Sequence, residues 1–109
     1  MRTLIKNGTV VTSAEETNAD VLVDGEKVVG IAAPGAHAWT ADQTIDAAGK
    51  LVVPGALDVH THMELPFGGT FASDSFETGS RAAAWGGTTT IVDFALQTKG
   101  GSIMDGFET

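Results

Sequence analysis

Residues 55–96 read as strand, helix, strand, and that order admits few folds. Leu57 to His60, following the apolar run Leu51 to Leu57, reads as a short buried strand covered on both faces. Asp74-Ser75-Phe76-Glu77 reads as a capping box, with Asp74 as N-cap and Glu77 three residues on. The helix it opens is expected to run to about Trp85 and to end at Gly86-Gly87. Thr88 to Ala95 is rich in β-branched residues and strand-like. A helical crossover of this length joins parallel strands in a right-handed βαβ unit. One such unit cannot bury both faces of its sheet. The segment Ser102 to Glu108 reads as the approach to another element that does not form. The expected class is therefore α/β, as the opening of a longer chain.

The preceding residues have a different style. Leu4-Ile5-Lys6 and Thr9-Val10-Val11 flank Asn7-Gly8, a strong hairpin signal. Val21-Leu22-Val23 and Lys27-Val28-Val29 flank a second turn at Asp24-Gly25-Glu26. Residues 32–44 read as loop, and Thr44-Ile45-Asp46 and Lys50 to Val53 as short strands around Ala47-Ala48-Gly49. The chain thus divides into an all-β part over residues 1–53 and a βαβ part over residues 54–109.

Chemistry concentrates at Asp58-Val59-His60-Thr61-His62, where the first strand of the βαβ part ends. Residues two apart on a strand face one way, so Asp58, His60 and His62 share a face. Two imidazoles at that spacing can lean toward one ion. A His-x-His triplet arises by chance in a chain of this size on the order of 5% of the time. Its place at the carboxyl end of a strand, where α/β folds put their sites, favours metal binding over two surface histidines. A charged Asp58 after an apolar strand is costly unless it is paired or ligated. Asp93 ends the second strand and reads equally as a support for a ligand histidine or as a turn cap. Met63, Leu65 and Phe67 read as core or, because they lie in a loop, as the apolar wall of a substrate pocket. Glu64 reads as a solvated loop charge, His37 as solvent-exposed, and Trp85 as packing on the sheet. Gly68-Gly69 reads as a turn or as a point of loop movement.

Composition narrows the partners. The chain has a formal net charge of −8, which argues against nucleic acid and against an anionic membrane surface. It has no cysteine, so a transition-metal site must be built from histidine and carboxylate. No run is long enough to cross a membrane and no signal peptide is evident, so a cytoplasmic protein is expected.

Val53 to His62 resembles the amidohydrolase superfamily. His60 to Thr70, Ser73 to Ala84 and Gly86 to Ala95 resemble its dihydropyrimidinase and D-hydantoinase family. The resemblance implies a split β-sandwich, opened by residues 1–53, around a metal-dependent (β/α)8 barrel opened by residues 54–109. It implies two divalent metal ions, zinc with manganese or iron as alternatives, one of them held in part by His60 and His62. The other ligands, a carboxylated lysine, two histidines and a catalytic aspartate, would lie beyond Thr109. Asp58 then becomes a support and not a ligand. The implied activity is hydrolysis of a dihydropyrimidine or hydantoin ring to an N-carbamoyl amino acid, with a homotetramer as the implied assembly. Dihydroorotases and allantoinases are the nearest alternatives. They commonly carry Leu-Arg or Leu-Asn after the second histidine, where this chain has Met63-Glu64, a poor match for a carboxylate substrate. A non-catalytic relative, like the collapsin-response-mediator proteins, and a small β-rich binding module complete in itself are the competing readings.

Overall fold

The computed structural model describes residues 1–108. They form two compact units, Met1–Pro54 and a second from Gly55 onward. The first unit is built on strand β1 (Arg2–Val11), β2 (Glu16–Asp24), β3 (Lys27–Ala32), β4 (Gln43–Asp46) and β5 (Leu51–Val52). They make one five-stranded sheet in the order β3-β2-β1-β4, with β5 also on β1. The β1–β2 and β2–β3 pairs are antiparallel, whereas β4 and β5 both run parallel to β1. The two short strands expected around Ala47-Ala48-Gly49 therefore do not pair with each other. They follow one another along the edge of β1.

Asn7-Gly8 is not a hairpin turn. Strand β1 continues through it, and the register with β2 shifts between Ile5 and Gly8. Asn7 takes a positive φ of 63°, the mark of a bulge that inserts one residue. The reversal comes later, where the Thr12 hydroxyl accepts from the amides of Ala14 and Glu15. The turn at Gly25-Glu26 is where the sequence places it. Val10, Ala19 and Val21 form the buried cluster, with Ile5, Val23 and Val52 packed against it.

One carboxylate organises the far end of this sheet. Asp20 is fully buried. It accepts from the Asn7 amide, the Gly35 amide and His37 Nε2, each at 2.9 Å. The amides of Gly35 and Asn7, more than the neighbouring His37, hold its pKa down at about 2. His37 is accordingly not solvent-exposed; its side chain is 9% accessible. Its ring stacks on Trp39 at 4.1 Å, and Trp39 lies against Gly30, where a Cβ would come within 2.5 Å of the indole. The loop after β3 is thereby fastened to the sheet.

The second unit contains β6 (Ala56–Thr61), β7 (Pro66–Phe67), β8 (Thr70–Phe71), α1 (Phe76–Trp85), β9 (Thr88–Asp93) and α2 (Ile103–Phe107). Strands β6 and β9 are parallel and joined through α1, as the βαβ reading requires. The N-cap is Ser75, one residue past the expected Asp74, and its capping box closes on Thr78 and not Glu77. Glu77 instead pairs with Arg81 one turn on, at 2.9 Å. Strand β9 ends at Asp93, two residues short of the expected Ala95. The segment expected to form no element folds as α2, capped by Ser102.

Strand β6 is not buried here: Leu57 and Val59 are each 67% exposed. Burying a strand takes layers on both faces. The described part of this unit supplies two two-stranded sheets, one ten-residue helix and one five-residue helix. Trp85 is 88% exposed and does not pack on the sheet. What packing exists is local: Met63 sits against Gly79 of α1, where an added Cβ would lie 2.7 Å from the Met63 methyl carbon.

Candidate metal centre

Strand β6 delivers His60 near its carboxyl end, and His62 follows directly after it. The register with β9 slips by one residue between Asp58 and Thr61, so β6 carries a bulge across Val59 and His60. Strict alternation therefore does not describe this strand end, yet the two imidazoles converge. Their Nε2 atoms are 3.1 Å apart and the rings meet edge-on at 88°. Two nitrogens that close can both reach the ~2.0–2.1 Å bonding distance of one zinc-sized ion. The donor set fits a borderline divalent metal. No group of three or more ligating side chains is assembled among the described residues, so the pair by itself offers two donors.

The supporting residues act through the backbone. Asp58 accepts from the His60 amide at 3.1 Å. Asp93, read equally as a histidine support or a turn cap, accepts from the amides of Met63 at 2.8 Å and Phe94 at 2.7 Å, the contacts of a cap. Both of its oxygens accept from the chain leaving two adjacent strands. Thr61 adds a hydroxyl bond to the Val92 carbonyl at 3.2 Å. His62 thus sits between two residues tied to β9.

The loop after the pair is ordered by the helix it precedes. Glu64 has a positive φ of 54°, and its carboxylate accepts from the Phe76 amide at the start of α1. It is a helix cap favoured by the helix dipole, a role sequence reasoning passed over. Leu65 is half-buried beside it, while Phe67 is 79% exposed on the β7–β8 hairpin. That hairpin turns through Gly68 and Gly69, both at positive φ. Met63 is buried against α1 and also borders a cavity of about 330 Å³ that Asp58, His60 and His62 share.

Phe94 is the site residue that the sequence did not single out. Its ring lies 4.9 Å from His60 and 5.0 Å from His62, centroid to centroid. In sequence it is an aromatic on an apolar strand, indistinguishable from core.

A convergent imidazole pair at the carboxyl end of a parallel strand lies where α/β folds place their sites. No protein-family model matches the sequence. The chain is 57% identical to a D-hydantoinase of Streptomyces coelicolor, over 98% of this chain and 24% of that protein. It is 46% identical to a D-hydantoinase of Geobacillus stearothermophilus, over 100% of this chain and 23% of that one. Its structure superposes on the crystal structure of dihydropyrimidinase from Brevibacillus agri with a TM-score of 0.85 at 50% identity, covering 99% of this chain and 23% of that one. The chain belongs to the dihydropyrimidinase and D-hydantoinase family. It spans about a quarter of the length of these relatives.

Proposed function

We propose that the chain is the N-terminal part of a cyclic amide hydrolase. The whole protein would add water across a ring amide of a dihydropyrimidine or hydantoin, breaking the C–N bond to leave an N-carbamoyl amino acid. The observation that carries this reading is the 3.1 Å approach of His60 and His62 Nε2 in a chain so close to D-hydantoinases. Residues 1–53 would open a β-sandwich and residues 54–109 a (β/α)8 barrel, which needs roughly 200–250 residues or more.

His60 and His62 would hold part of the shell of one of two divalent ions, zinc or else manganese or iron. When bound, such an ion supplies Lewis-acid polarisation of a carbonyl and a water acidic enough to ionise near neutrality. This chain's residues prepare that site. Asp58 fixes the His60 backbone, and Asp93 fixes the backbone just after His62. Met63, Leu65 and Phe67 offer apolar surface to a ring substituent, and Met63-Glu64 presents no cation to a substrate carboxylate. The whole protein would be a cytoplasmic homotetramer; no described helix is long and apolar enough to cross a membrane.

The test is His60→Ala in the full-length protein. Metal content and hydantoin turnover are expected to fall together, by more than the ~10–100-fold that loss of an outer-shell partner costs. Full metal occupancy in that variant would remove the ligand assignment. The 109-residue chain alone, with two of the ligands, is expected to turn over neither ring.

A further inference from the structure

We propose that Phe94 is a positioning residue for the histidine pair, a reading that rests on the metal assignment above. Its ring contacts both imidazoles, at 4.9 Å and 55° for His60 and at 5.0 Å and 37° for His62. The two imidazoles stand nearly perpendicular to each other with Nε2 facing Nε2. Exposed histidines do not hold one such arrangement unaided. Each has several staggered χ1 wells and a broad χ2, and confining them costs conformational entropy. A third ring lying against both removes most of the alternatives before any ion arrives. Phe94 suits the task because it has no polar atom. It cannot compete for the imidazole nitrogens.

The backbone that carries the ring is anchored. The Phe94 amide donates to Asp93 Oδ1 at 2.7 Å, while Asp93 Oδ2 takes the Met63 amide at 2.8 Å. Thr61 is tied to the Val92 carbonyl at 3.2 Å. The residues on both sides of His62 are therefore fixed to the two residues that precede Phe94. Ring and ligand pair share one frame, and Asp93 is its joint.

The experiment uses the full-length protein and its Phe94→Ala and Phe94→Tyr variants. Zinc affinity is read by competition with a chromophoric chelator, and site geometry by the visible spectrum of the cobalt(II)-loaded protein. Phe94→Ala is expected to bind zinc ~10–100-fold more weakly, with a changed cobalt spectrum. Phe94→Tyr keeps the flat ring and is expected to restore both. A folded Phe94→Ala variant with zinc affinity within about twofold of the parent and an unchanged spectrum would overturn the proposal. Should that variant not fold, Phe94→Leu keeps apolar bulk without the flat face and is judged by the same two readings. His60→Ala run alongside separates the two claims. If it retains zinc, the ligand assignment fails; if it loses zinc while Phe94→Ala does not, the positioning role alone fails.

Discussion

His37 in the first unit has both ring nitrogens engaged. Nε2 meets Asp20 at 2.9 Å and Nδ1 accepts from the Trp39 amide at 3.3 Å. The ring is buried, stacked and satisfied. His60 and His62 in the second unit are exposed, and neither ring has a carboxylate partner among the described residues. Their nitrogens face each other instead. The same side chain is a structural tie in one place and a free donor in the other. The difference lies in what fills its hydrogen-bonding capacity: an imidazole with both nitrogens spent cannot ligate, whereas two that share only each other can exchange that contact for an ion.

The contrast predicts that the two regions fail differently when altered. The largest expected effect on stability is from Asp20→Ala. It strips the acceptor from two amides and a histidine in a buried site, and by analogy with broken buried pairs it should cost ~3–5 kcal/mol. Thermal unfolding of the full-length protein would show it, while zinc affinity of the folded variant should stay unchanged. A variant of normal stability and lowered zinc affinity would erase the distinction between the units.

Acid should reach the first unit through the same carboxylate. The folded pKa of Asp20, about 2, lies below its ordinary 3.8, so the folded state prefers the ionised form. Its contribution is fully present above pH 3.8 and is lost as pH falls toward 2, amounting to about 2 kcal/mol. Denaturant titrations at pH 5 and pH 2.5 check this. Asp20→Asn should flatten that part of the pH dependence, and an unaltered profile would show that another group carries it.

Within the second unit, Gly79→Ala tests how tightly Met63 is held. The new methyl would press on the Met63 thioether and cost ~1–3 kcal/mol as overpacking, less if the flexible chain yields. Because Met63 follows His62 directly, zinc affinity should fall as well, in contrast to Asp20→Ala. Ser75→Ala removes the α1 cap and should cost ~1 kcal/mol in thermal stability, with no change in metal binding. A larger loss would mean that the Glu64 contact at the same helix start depends on Ser75.

Much of this molecule follows from local chemistry and is legible in the chain. The βαβ order, the Gly25-Glu26 turn, the Gly86 cap and the convergent histidines depend on residues close in sequence, because turn geometry, capping and two-residue spacing are short-range effects. The misreadings arise where a distant partner outbids the local signal. Asn7-Gly8 would make a turn, but Asp20, thirteen residues on, takes the Asn7 amide and the strand runs through. His37 would be solvated, but the same carboxylate draws it in. Asp93 reads in sequence equally as a histidine support or a turn cap, and the register of β6 against β9 brings the Met63 amide to it.

By itself, then, the sequence determined that there is a parallel strand–helix–strand unit, that its first strand ends in two histidines, and that these 109 residues supply no thiolate. Only the tertiary structure decided which histidine is spent and which pair is free. It also decided that Phe94 stands against both rings, and that Asp58 and Asp93 accept from backbone amides. The reason is physical. Hydrogen-bonding capacity is a property of each side chain, but which partner fills it is settled by strand register and burial, and these bring together residues far apart in the chain.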